Sequence, residues 1–318
     1  MARFATVAAV NVSKMYKRHI KDKPEGVSPL DFAVEGLENE IGKVLAYKPD
    51  LIVLPEFCGL LYGIPMSDEL EYMKATEKEL QARMAKIAKE NNCYIAYGAW
   101  RMADDGYGRN SCIMLDRNGE YVGAYDKNYP VLFEYDIHNT MHGRDGTIFE
   151  CDFGRVGALI CFDMNFPEMR EKYKRLRPEL IVFPSAYNGG MVRNFFAIDC
   201  RCYLAASTVF PCEIISPLGV SVHSETGYYS YAVATINLDY AICHLDYNRP
   251  RFEAAKKKYG KNFTLTEPGG LGFVMISYEG TDKTIKDIME EFDIEDYDHY
   301  LDRSREKHAQ IEKIYDNM

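Results

Sequence analysis

Short apolar runs that alternate with longer amphipathic stretches constrain this chain more than any other feature. Residues 4–10 precede an amphipathic stretch at 33–45, residues 51–54 precede one at 70–89, and residues 156–160 precede one at 168–176. A short apolar run followed by a helix-period stretch is a strand with its crossover helix, and a series of such units builds a sheet covered by helices. Between the second and third units, the runs at 94–100, 111–115 and 121–125 follow one another with no helical stretch among them. Asn118 and Gly119 separate the last two of these runs, a pair suited to the positive backbone angles of a tight hairpin. The sheet is therefore expected to be mixed, with an antiparallel meander beside crossover units in a layered α/β sandwich. After residues 180–183 the pattern predicts a helix over 194–204 and strands at 206–210, 213–216 and 229–238.

At 318 residues the chain is long for one domain and short for two, and its 47% hydrophobic content suffices for a large buried core. The reading gives a principal domain at 1–245 and a C-terminal extension at 246–318. In the extension the composition shifts to charged and aromatic residues, Gly269 and Gly270 interrupt the chain, and an acidic helix-like stretch runs from 285 to 318. With few aliphatic residues for a core of its own, the extension is expected to pack on the domain or on a partner subunit.

A formal net charge of −10 disfavours nucleic acid and anionic membranes as partners, since both demand a concentrated basic face. No apolar run approaches the roughly 20 residues that a bilayer requires, and the first run, starting at Phe4, lacks the progression of a signal peptide. A cytoplasmic protein with a small-molecule partner is the expectation. The nine cysteines are odd in number and sit mostly in apolar runs, as Cys93, Cys112 and Cys243 do, which predicts reduced thiols. Cys200 and Cys202 are the one close pair, and with no histidine or further cysteine beside them they are read as a buried helix face, so no metal is expected.

Three polar residues stand immediately after apolar runs, where open α/β sheets collect their ligands and catalysts. Glu56 follows the run 51–55, Lys127 follows 121–126 and Cys161 follows 156–160. Past Cys161 the chain turns over 162–166, and Pro167 with Glu168 suits a helix start, so the thiol sits at a strand-to-helix corner. A helix N-terminus and a lysine there would stabilise a thiolate, the attacking form of the sulfur. The backbone N–H of Phe162 would help to hold an oxyanion, and Glu56 could take the thiol proton and return it to a departing amine. Each residue alone has a plainer reading: Cys161 as a small buried hydrophobe, Glu56 as a helix cap, Lys127 as a solvated charge.

Together these segments resemble the nitrilase superfamily of carbon-nitrogen hydrolases, whose pattern is a Glu, Lys and Cys triad in this order. The resemblance rests on Leu54-Pro55-Glu56-Phe57, on Tyr125-Asp126-Lys127, and on the segment from Gly157 through Cys161, Asp163 and Phe166-Pro167-Glu168 to Arg170, with residues 179–186 as the following strand. It extends from about residue 4 to 240. It implies a four-layer αββα sandwich that forms a homodimer or higher homo-oligomer by stacking, with no cofactor. By the family pattern Glu56 is general base and acid, Lys127 steadies the tetrahedral intermediate, and Cys161 forms the acyl-enzyme. Glu134 matches a second family glutamate beyond the lysine, and Asp163 and Glu168 would order the corner. Asn165 stands where many relatives carry arginine, and Asn128-Tyr129-Pro130 and Tyr187-Asn188-Gly189-Gly190 also depart from the commoner pattern.

Phe162, Tyr187 and Asn188 are the candidate substrate contacts. Phe162-Asp163 after the cysteine looks like the amidase and carbamoylase branches, so small amides come first as substrates, N-carbamoyl compounds second and nitriles third. A binding protein that keeps the fold without turnover is the non-enzyme alternative. Arg193 is read as an exposed arginine at a helix start or as a partner for a substrate carboxylate, and His138, His142 and His223 as loop or surface residues outside any motif.

Overall fold

Two six-stranded mixed sheets, seen in a computed structural model that describes residues 1–11, 18–267 and 269–316, carry the alternation read from the sequence. The chain divides into two compact units, Ala5–Ile236 and a second formed by Met1–Phe4 with Asn237–Met318.

In the larger unit the first sheet holds β1 (Phe4–Val10), β2 (Leu51–Val53), β3 (Tyr94–Met102), β4 (Gly108–Leu115), β5 (Tyr121–Asp126) and, beside β1, the late strand Tyr231–Asn237. The second sheet runs in the order Ser221–Ser224, Glu213–Ile215, Tyr203–Ser207, Leu180–Pro184, Gly154–Ala158 and Ile148–Cys151. In chain order these are β6 (Ile148–Cys151), β7 (Gly154–Ala158), β8 (Leu180–Pro184), β9 (Tyr203–Ser207), β10 (Glu213–Ile215), β11 (Ser221–Ser224) and β12 (Tyr231–Asn237). Strands β1, β2 and β3 pair in parallel and β3, β4 and β5 antiparallel; β7, β8 and β9 likewise form a parallel core flanked by antiparallel neighbours.

Helices α1 (Pro29–Gly42) and α2 (Met66–Asn91) cover the outer face of the first sheet. Ser28 caps α1 by accepting the Asp31 N–H at 3.0 Å, and Pro29 occupies its first position, where no donor is lost. Alternate strand residues, Ala8 and Val10, Ile52 and Leu54, Ile95 and Tyr97, pack with Leu37, Ile41, Leu80 and Met84 of the helices. The intervening residues, Val7, Leu51, Val53 and Ala96, are fully buried as well, because the second sheet lies on the other face: β2 touches β8 and β9. Strands covered on both sides read as continuous apolar runs, which is why these segments stood out. Helices α4 (Pro167–Leu176) and α5 (Val192–Cys200) follow α3 (Leu132–Asp136) and serve the second sheet. The result is the expected four-layer sandwich.

The helix expected to reach residue 204 stops at Cys200, and β9 begins at Tyr203, earlier than expected. Arg201 turns left-handed, with φ 54°, and ends the helix there. The hairpin at Asn118-Gly119 is present: Gly119 has φ 78°, and a Cβ on it would lie 2.4 Å from the Ala85 carbonyl oxygen.

The smaller unit corrects one expectation. It has a core of its own, formed by Cys243, Phe252, Phe263, Val274, Ile276, Tyr278, Ile285, Ile288 and Ile294. Val274 and the four isoleucines gather around Phe252, Phe263 and Tyr278, whose large buried areas let few aliphatic residues suffice. Strands β13 (Tyr240–His244), β14 (Phe263–Thr266) and β15 (Phe273–Tyr278) form its antiparallel sheet in the order β13-β15-β14, so β13, placed before the expected boundary, counts with this unit. Helices α6 (Arg249–Tyr259), α7 (Ile285–Phe292) and α8 (Tyr297–Tyr315) complete it. The acidic stretch from 285 to 318 is thus two helices parted at Asp293, whose φ is 53°; Asn317 and Met318 lie outside the described residues. Among the described residues no helix is long and apolar enough to cross a membrane.

Candidate active site

Glu56, Lys127 and Cys161 each follow a strand end, and the chain between strand and side chain is held by specific contacts. The Glu56 turn lies so close to β3 that a Cβ on Gly98 would sit 2.6 Å from the Glu56 Cα; the Gly98 N–H reaches the Pro55 carbonyl at 3.0 Å instead. Lys127 is pinned by its own N–H to the Asn110 carbonyl on β4 at 2.8 Å. Cys161 opens a 3-10 turn, Cys161–Asn165, in a left-handed conformation with φ 47°. A non-glycine residue holds such a conformation only where its surroundings impose it. Here Asp163 imposes it, accepting the Ile160 N–H at 3.0 Å, the Tyr129 N–H at 2.8 Å and the Tyr125 hydroxyl at 2.7 Å. Burial raises the Asp163 carboxyl to about 6 in spite of these three donors, which act to lower it.

The acid and the amine meet. Lys127 Nζ donates to Glu56 Oε1 at 2.9 Å and to Glu134 Oε2 at 2.7 Å, with all three side chains within 2% of full burial. Glu134 stands on α3 and also accepts the Val131 N–H at 2.8 Å. Glu56 Oε2 accepts the Ala186 N–H, just past β8, at 2.9 Å. Burial alone would raise Glu56, but the Lys127 charge and the hydrogen bonds from Lys127, Asn110 and Ala186 outweigh it and hold the carboxyl below its usual range. For Lys127 burial works to neutralise the ammonium, and the charges of Glu56 and Glu134 overcome it, so the amine stays charged.

Cys161 completes the group, in a different state from the one expected. Burial, followed by the Glu56 charge, pushes its thiol up to about 12, against the pull of Lys127. The sulfur therefore rests as a neutral thiol beside an ionised carboxylate. Nearness to one lysine does not offset desolvation and a neighbouring anion.

The remaining candidates divide. Phe162 is 38% exposed and packs edge-on against Phe166, which stacks on Tyr129 at 3.6 Å between ring centres. Tyr187 lies within electrostatic range of Cys161. The Asn188 amide is engaged in its own loop, donating to the Phe210 carbonyl at 2.8 Å and accepting the Gly190 N–H at 3.0 Å. Glu168 is exposed in the first turn of α4, so of the two acids assigned to the corner Asp163 is the one that ties it. Arg193 is neither exposed nor open to a substrate: it is buried and paired with Glu213 at 2.8 Å. His138 is buried too, its Nε2 at 2.8 Å from Glu69 and its ring edge-on to Phe57 and Phe133. His142 and His223 are exposed. No group of three or more metal-ligating side chains occurs among the described residues.

Sequence reasoning missed Asn110. Its Nδ2 donates to Glu56 Oε1 at 2.8 Å and to Glu134 Oε1 at 2.6 Å from a fully buried position on β4. A single asparagine inside an otherwise buried strand was the one available signal.

The profile of the carbon-nitrogen hydrolase family matches residues 7–240. Omega-amidase NIT2 of Xenopus tropicalis is 24% identical over 217 residues, 60% of this chain and 77% of that protein. The solved NitFhit protein of C. elegans matches with a TM-score of 0.63 at 19% identity, over 75% of this chain and 62% of that one. An amidase from Nesterenkonia sp. AN1, solved as a mutant with acrylamide joined to its active-site cysteine by Michael addition, matches with a TM-score of 0.59 at 16% identity, over 73% of this chain and 93% of that one. At these identities the two solved structures bear on the fold alone.

Proposed function

This chain belongs to the carbon-nitrogen hydrolase family, and from that premise we propose that it hydrolyses small amides through a thioester on Cys161, with Glu56 as general base and acid and Lys127 as the electrophilic partner. The observation that carries the reading is the buried Lys127 ammonium held at 2.9 Å and 2.7 Å from two carboxylates, one of which, Glu56, lies near enough for its charge to raise the Cys161 thiol. The sulfur attacks the amide carbonyl carbon as its proton passes to Glu56, so a neutral thiol is a competent resting state. Lys127 donates two of its three N–H bonds to glutamates and keeps one for the developing oxyanion, with the Phe162 N–H assigned as the second donor. Collapse of the tetrahedral adduct breaks the carbon-nitrogen bond, and the nitrogen leaves as ammonia with the proton from Glu56. A water molecule then gives its proton to Glu56 and its hydroxide to the thioester, releasing the acid and restoring the thiol.

The amide class is supported by the omega-amidase relative. N-carbamoyl compounds stand second and nitriles third. Screening ammonia release across the three classes decides among them: ammonia alone marks an amide, ammonia with carbon dioxide a carbamoyl group. Cys161→Ala should abolish turnover and leave the circular dichroism spectrum unchanged. A variant that still released ammonia at the wild-type rate would refute the assignment. The proposal includes a homodimer of stacked sandwiches, and a monomer in sedimentation velocity at working concentration would remove that part.

A further inference from the structure

We propose that Asn110 is a positioning residue for this reaction: its amide nitrogen, bonded at once to Glu56 Oε1 and Glu134 Oε1, fixes the base so that Glu56 Oε2 alone carries the proton. The inference rests on the role given to Glu56 above. Its geometry is specific. Both partners of Nδ2 are carboxylates, at 2.8 Å and 2.6 Å, and a carboxylate only accepts, so the orientation of the amide is forced. The two Nδ2 hydrogens are used one on each glutamate. Asn110 Oδ1 is buried and has no hydrogen-bond partner among the described residues, an arrangement that chain folding alone does not favour.

Each oxygen of Glu56 then has a defined occupancy. Oε1 takes Lys127 and Asn110, at 2.9 Å and 2.8 Å, which fills both of its lone-pair directions. Oε2 takes the Ala186 N–H at 2.9 Å, and its second direction is open to the thiol proton. Asn110 also stands between two carboxylates that Lys127 draws together, placing a dipole where like charges would otherwise face each other. The same strand that carries the amide carries the carbonyl that accepts the Lys127 N–H at 2.8 Å, so one residue sets the base through its side chain and the amine through its backbone.

A lost donor leaves the Glu56 carboxylate less stabilised, and its proton affinity rises. The test reads that affinity through Cys161, without a substrate. The rate of iodoacetamide alkylation at the Cys161 peptide is followed by mass spectrometry against pH, in wild type, Glu56→Gln and Asn110→Leu. Wild type should lose reactivity on the acid side as Glu56 takes a proton, and Glu56→Gln should lack that limb. Asn110→Leu, close to isosteric, should keep the limb but move it upward by about one pH unit, a tenfold change in the ionisation constant. A folded Asn110→Leu whose rates fall equally at every pH, with the limb unmoved, overturns the proposal while Glu56 stands. A limb unchanged in Glu56→Gln overturns both readings. Should the leucine variant not fold, Asn110→Ser keeps one donor and is expected to shift the limb the same way by a smaller step; an unmoved limb there overturns the proposal equally.

Discussion

Replacing Lys127 by methionine should turn the stability of this protein into a steep function of pH. The methionine keeps the length of the side chain, so the change removes a charge more than a volume. What remains is a pair of buried carboxylates, Glu56 and Glu134, which in the wild type lie 2.9 Å and 2.7 Å from the ammonium with side chains at most 2% exposed. Breaking a buried ion pair from one side costs about 3–5 kcal/mol. The sign follows from Glu56. Its folded value now lies below its usual one, so it contributes stability that is present above that usual value and lost as pH falls through the folded one. Without Lys127 burial prevails, the folded value rises, and the variant is penalised at neutral pH and recovers as a carboxylate takes up a proton. One proton bound more tightly by the folded variant changes the gap by about 1.4 kcal/mol per pH unit, or about 2.7 kcal/mol between about pH 5 and pH 7. Urea unfolding of both proteins across that range, with the denaturant slope checked for constancy, measures the gap directly. Parallel curves, or a variant as stable as wild type at neutral pH, would refute the reasoning.

Two further substitutions probe how the site is held. Gly98→Ala places a methyl against the Glu56 backbone, 2.6 Å from its Cα, and should lower kcat/KM by about 100-fold through displacement of the base. Gly123→Ala on β5, whose added methyl would meet only the Phe149 ring at 3.4 Å, is the control and should stay near wild type; equal losses in both would show that Gly98 has no special place. Asp163→Asn turns an acceptor of three hydrogen bonds into a group that must present N–H to one of its donors, and should cost about 1.5–3 kcal/mol. An unchanged thermal midpoint together with unchanged kcat would remove Asp163 from the account of the corner.

What the sequence made legible, and what it hid, follows the range of the interactions involved. Glu56, Lys127 and Cys161 stood out because each breaks an apolar run at its end, a purely local signal, and strand ends of one sandwich converge in space. Asn110 could not be found this way, because its place depends on β4 lying between β3, which carries Gly98, and β5, which ends one residue before Lys127. Arg193 looked like a solvated helix start because its partner, Glu213, lies on a different strand. The end of α5 was misplaced because the apolar residues from Cys200 to Leu204 fit a helix period and a strand period alike, and only the left-handed Arg201 separates them. The core of the smaller unit was hidden because its isoleucines and aromatics are spread thinly among charged residues and meet only in the folded chain.

The resting state of the sulfur follows from the same charge accounting. Two carboxylates and one ammonium already leave the buried cluster with one negative charge, so a thiolate would add a second beside side chains that are almost wholly buried. The pull of Lys127 on that thiolate is outweighed by burial and the Glu56 charge. The site instead keeps its base ionised and its nucleophile neutral. On the mechanism proposed above, negative charge would move onto the substrate oxygen as the thiol proton moves to Glu56, and the carboxylate would then lose its claim on Lys127. The ammonium would be released toward the oxyanion in the same step that creates it, so that on this proposal the pairing of Glu56 with Lys127 delivers positive charge at the transition state and withholds it before.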